Sequence, residues 1–76
     1  MKAFTLVGVD GNAFAVMGYT ARALQRAGLR DKKDQMFKEA QSGNYFNLLA
    51  VCDRYIDMAN EALGLSSDDE DEEEDF

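Results

Sequence analysis

Residues 68 to 75 are eight carboxylates without a break, and that run sets how much of this chain can fold. Burying charges that lack partners costs more than packing returns. Asp68, Asp69, Glu70, Asp71, Glu72, Glu73, Glu74 and Asp75 are therefore expected to stay solvated and extended. Leu65-Ser66-Ser67 reads as a hinge, and Phe76 follows the acids as a single aromatic. The expected division is a small helical domain with an N-terminal strand over residues 1–65 and a disordered acidic tail over residues 66–76.

The whole-chain charge of -7 hides this division. Of the fifteen acids, eight lie in the tail; the other seven stand against eight bases, so the body carries about +1. A domain of this size buries only about 60% of its unfolded surface, which predicts modest stability. Cys52 is the one cysteine, so no intrachain disulfide can form, and its place in an apolar helical stripe makes it a small core residue. With no histidine and no second cysteine, zinc and iron–sulfur sites are not expected, and no other metal or cofactor is called for. No signal peptide or membrane-spanning run is evident, and the expected location is cytoplasmic.

Along the chain, Phe4-Thr5-Leu6-Val7-Gly8-Val9 alternates and is β-branched, as a short strand would be. Asp10-Gly11 then turns the chain. Residues 13 to 17 would be either the return strand of a hairpin or the start of a helix capped by Asn12. The helix is favoured, because Phe14, Met17, Ala21 and Leu24 share a face while Arg22 and Arg26 lie elsewhere. Gly18 lies inside that helix, and close approach of a neighbouring backbone would account for it. Ala27-Gly28-Leu29 reads as a helix end with Gly28 in a left-handed position. A second helix is expected from about Lys32 to Gln41, with Asp31 as its cap and Met36, Phe37 and Ala40 as its apolar face. Asn44 caps a third helix whose stripe is Tyr45, Leu48, Leu49, Cys52, Tyr55, Ile56, Ala59 and Leu63, with Asn60 placed off it, and Gly64 closes it. Phe14, Phe37, Tyr45 and Phe46 are expected in the core, with Tyr19 or Phe46 left as a contact residue. The fold class is thus mainly α: a short N-terminal strand or arm, three helices and the tail. A lone strand needs a partner. It would pair with a second copy through Ala3 to Val9, pair in a hairpin, or lie as an arm on the helices, so a homodimer is one option.

The string from Leu6 to Phe14, LVGVDGNAF, followed by Gly18, Ala27-Gly28, Glu39-Ala40, Ser42-Gly43-Asn44-Tyr45 and Leu48-Leu49, resembles a family of small uncharacterised proteins of phages, prophages and plasmids. Asn44 stands where that family often has Asp. The resemblance spans roughly Leu6 to Leu49 and implies a mobile-element origin, a phage-type protein working in the host bacterial cytoplasm, but no activity. Separately, Asp68 to Phe76 is similar in composition to the acidic, Phe-ended tails of single-stranded DNA-binding proteins of T7-like phages. That likeness implies docking on replication proteins and competition with DNA. The body lacks the strand pattern of the five-stranded barrel those proteins use.

Charge spacing carries the functional expectation. Extended residues advance about 3.3–3.6 Å each, and one DNA strand carries a phosphate charge about every 3.4 Å. The run from Asp68 to Asp75 therefore matches the linear charge density of a single strand, and Phe76 can fill a pocket where a base would stack. Arg22, Arg26, Arg30, Lys32, Lys33 and Lys38 gather six of the eight bases within seventeen residues, a set that suits phosphates or the chain's own tail. Asp10-Gly11-Asn12 lacks the downstream ligands of a calcium loop and reads as a turn and cap. Asp53 and Asp57, one turn apart, read as a solvated face. The expectation is a non-enzymatic accessory or inhibitory protein that binds a nucleic-acid-processing protein of host or phage, with Asp68 to Phe76 as the partner-binding element. The alternative, in which direct nucleic-acid binding stays open, is a weak DNA or RNA binder whose basic set is autoinhibited by the tail.

Overall fold

The structure, a computed structural model, describes residues 3–65. Three helices make up most of this span: α1 over Ala13–Arg26, α2 over Lys33–Ala40 and α3 over Tyr45–Ala62, with a 3-10 turn over Arg30–Lys32 leading into α2. Each long helix begins where a side chain can satisfy an orphan amide. Asn12 Oδ1 accepts from the Phe14 amide at 2.8 Å, and Asn44 Oδ1 accepts from the Asn47 amide at 2.9 Å. Asp10 Oδ1 accepts from the Asn12 amide at 3.1 Å, so Asp10-Gly11-Asn12 is a turn feeding a cap. The helix reading of residues 13 to 17 holds and the hairpin does not. At the far end Gly28, at φ +77°, lets its amide reach Gln25 O at 3.1 Å while the Leu29 amide reaches Leu24 O at 2.8 Å. This pair of bonds closes α1 in the Schellman manner, and Gly64 and Leu65 repeat it on α3.

The second helix starts one residue later than expected and without Asp31 as its cap. No side chain caps α2; the 3-10 turn takes that place, with the Lys32 amide donating to Leu29 O at 2.9 Å. Asp34 lies in the first turn, where a negative charge is favourable at the positive end of the helix dipole.

The N-terminal segment is an arm, not a strand. The Val9 amide donates to Leu6 O at 3.0 Å, closing a turn with Gly8 at φ +87°. That left-handed geometry stops the alternating run before it can form a ladder. Three more donors of the arm find partners inside the chain, with Val7 N–H reaching Thr5 Oγ1 at 3.2 Å. Phe4 N–H donates to Asn60 Oδ1 at 2.8 Å and Asn60 Nδ2 donates back to Phe4 O at 3.0 Å. Thr5 N–H donates to Tyr19 Oη at 2.9 Å, and the Phe4 and Tyr19 rings meet edge to face at 6.0 Å. The arm is thus held to both α1 and α3 by its own backbone amides.

The core lies where α1 and α3 face each other, with α2 closing one side. Leu24, Met36, Cys52, Ala23 and Ala59 are fully buried, and Val16, Tyr55 and Ile56 nearly so. Each large side chain among them contributes roughly 1.5–3 kcal/mol by leaving water. The buried Thr20 hydroxyl donates to Val16 O at 2.9 Å, so it adds no unsatisfied polar group. Sequence periodicity misplaced two aromatics, Phe14 and Tyr45, while Phe46 takes the exposed place left open for Tyr19 or Phe46. Phe14 is 78% exposed, Phe46 77% and Tyr45 41%, whereas Val16, Thr20, Ala23, Val51 and Asn60, none of them expected inside, are buried. The physical reason is rotation: α1 turns its Val16-Thr20-Ala23 side to α3, which moves Phe14 to the rim. Phe37 is half-buried, and Leu63 is 38% exposed at the last turn. Gly18 has no close neighbour either; a Cβ there would meet nothing within 4 Å, so the expected backbone approach is absent.

Candidate functional site

Antiparallel turns at both ends of α2 make α1 and α3 parallel. Their N-termini meet where Tyr45 Oη donates to Gly11 O. Their C-termini, and hence the point at which residue 65 leads into the acidic run, lie at the opposite end. This arrangement sorts the surface into a cationic end, an aromatic end and an acidic flank.

Arg22 and Arg26 are exposed one turn apart on the side of α1 away from the core. Arg30 and Lys32 belong to the 3-10 turn and Lys33 opens α2, so these five cations collect around the C-terminal end of α1. Lys38 does not join them. It points to solvent from the face of α2 opposite the buried Met36 and Ala40. Asp31 and Asp34 lie in the same stretch and are both exposed. Among the described residues the one ion pair is Arg54 with Glu39, at 3.1 Å, so none of the six expected cations is neutralised by a carboxylate within the fold.

At the other end, Ala13, Phe14, Met17, Ala40, Tyr45 and Leu48 line an open groove of about 330 Å³ where α1, α2 and α3 converge. Phe46 stands exposed on the adjoining turn of α3. Sequence reasoning assigned these aromatics to packing; the usable signal was their position beside the two Asn caps, where a helix has not yet entered the core.

The third surface is a groove of about 350 Å³ between the arm and α3, lined by Phe4, Thr5, Ile56, Asn60 and Leu65 with Asp53, Asp57 and Glu61 along its rim. The three carboxylates recur every fourth residue, so they stack along one exposed ridge. Asp53 and Asp57 are a solvated face, as their spacing suggested. Among the described residues no group of three or more potential ligands is placed to hold a metal ion.

Among the described residues, Glu39 is the one carboxylate that joins side chains of α2 and α3. Its Oε1 accepts from Arg54 Nη2 and from Tyr55 Oη, each at 3.1 Å, and its backbone oxygen accepts from Asn47 Nδ2 at 3.0 Å. The Arg54 guanidinium, helped by Gln35 and Tyr55, holds the Glu39 carboxyl below its ordinary range. Burial first, and then the Glu39 carboxylate, pushes the Tyr55 phenol up. Burial also pushes the Cys52 thiol up, against a smaller opposing effect of the Thr20 hydroxyl. That places Cys52 as an inert core residue, as its stripe implied.

The expected partner-binding residues, Asp68, Asp69, Glu70, Asp71, Glu72, Glu73, Glu74, Asp75 and Phe76, lie outside the described residues. No described helix is long and apolar enough to cross a membrane. Comparison with protein-family models, with curated proteins and with solved structures returned no match.

Proposed function

We propose that this protein is a non-enzymatic binding protein that engages a nucleic-acid-processing protein, with the acidic run of residues 68–75 standing in for a nucleic-acid strand and Phe76 for a base. The observation that carries the reading is the charge spacing: eight consecutive carboxylates at the pitch of a phosphate backbone, attached to a body of nearly zero net charge. The ridge of Asp53, Asp57 and Glu61 supports it, because it extends the negative surface onto the last turns of α3, just before the acidic run begins. The resemblance to small phage, prophage and plasmid proteins supports reading it as a phage-type accessory or inhibitor whose target would be a host or phage machine in the bacterial cytoplasm.

A second reading is favoured by one observation, the absence of carboxylate partners for Arg22, Arg26, Arg30, Lys32, Lys33 and Lys38 within the described fold. In it the cationic end binds DNA or RNA weakly and the tail covers it. Replacing the eight acids by their amides separates the two. In the first reading the amide variant loses its protein partner. In the second it gains DNA affinity, with the steep salt dependence of phosphate contacts.

A further inference from the structure

Phe14, Gly18, Arg22 and Arg26 are spaced four residues apart, so they form one continuous row along the outer surface of α1. The row runs from the cationic end to the apolar groove. At Arg22 and Arg26 it offers two exposed guanidiniums with no carboxylate partner among the described residues, with Arg30 just beyond. At Gly18 it offers bare backbone with open space above. At Phe14 it meets the groove formed with Met17, Tyr45 and Leu48. We propose that this row is the docking track for residues 66–76 of the same chain: the carboxylates pair with Arg30, Arg26 and Arg22, the backbone passes over Gly18, and Phe76 enters the groove beside Phe14.

The polarity of the track matches the polarity of the segment, cations near its origin and an apolar socket at its far end. Its length matches too. Arg26 to Phe14 is about 18 Å at 1.5 Å per residue, and crossing from the end of α3 to the neighbouring α1 adds about 10 Å. Eleven extended residues reach roughly 36–40 Å. The opposite route along α3 would set the acids against Asp53, Asp57 and Glu61, so charge selects α1. Tethering supplies an effective concentration of millimolar order, enough for weak contacts to hold. The track also explains Gly18, which no packing in the described fold requires. An external partner must then compete with the docked state, which makes docking a threshold for binding.

The proposal rests on the reading of the tail as a ligand for cationic surfaces. Amide resonances of the full-length protein test it. Phe76→Ala is expected to shift Phe14, Met17, Tyr45 and Leu48, and the Arg22→Gln/Arg26→Gln pair is expected to shift the same groove residues although neither position touches the groove. Both sets of shifts should be independent of protein concentration. Groove resonances that stay unmoved in both variants overturn the proposal, as do shifts that vanish on dilution, which would assign the groove to a second copy. A tail that captures a partner while the groove stays unmoved removes the docking and leaves the proposed function standing.

Discussion

Asn60 holds the arm to the bundle, and Asn60→Ala is expected to release it. The side chain is 7% exposed and makes two bonds to one residue, accepting from Phe4 N–H at 2.8 Å and donating to Phe4 O at 3.0 Å. A net contribution of about 0.5–1.5 kcal/mol per bond gives a loss of about 2 kcal/mol. For a domain of this size that lowers the melting temperature by roughly 8–16 °C. Far-UV circular dichroism against temperature and urea measures the loss, and hydrogen exchange at the Phe4 amide reports whether the arm has come free. Asn60→Asp keeps the acceptor but sets a carboxylate oxygen against Phe4 O, so it should be at least as damaging at neutral pH and recover partly in acid, once the carboxyl can donate. A loss below about 0.5 kcal/mol, the range of ordinary surface substitutions, would refute the assignment of the arm to Asn60.

Three further outcomes follow from the structure. Glu39 has a folded-state pKa below 4.5, so the stability it supplies is complete above that value and is lost as pH falls through the folded pKa; Glu39→Gln should flatten the acid limb of the stability curve below pH 4.5. Gly18→Ala should stabilise the helix in a thermal melt by up to about 1 kcal/mol, since among the described residues its Cβ meets no atom within 4 Å; a loss would show that the docked segment crowds the site. Cys52, fully buried with its thiol pKa raised, should resist a thiol reagent in the native state and react at once in urea; rapid native-state reaction would contradict its burial.

The helices were legible because their punctuation is local. Asn12, Asn44, Gly28 and Gly64 act within a turn of where they stand, and each does what its residue type predicts. Which side of a helix faces inward is not local. Met17, Ala21 and Leu24 of the expected face are buried, but only the position of α3 decides that Thr20 goes in with them and Phe14 stays out. Asn60 was hidden for a related reason, since its partner is a backbone segment 56 residues away. The cationic set was visible in the sequence as a cluster, yet Lys38 separates from it once α2 turns, which spacing along the chain does not reveal. The apolar groove was not legible at all, because it is built from three helices at the point where they meet.

In the proposed function, residues 68–75 present a strand-like polyanion to a cationic site. Capture of partners by the full-length protein, with single-stranded DNA as competitor, tests it most directly. The account predicts that bound protein is displaced by DNA, and that a chain with all eight acids replaced by amides captures none of it. Capture that survives both the competitor and the amide replacement would contradict it.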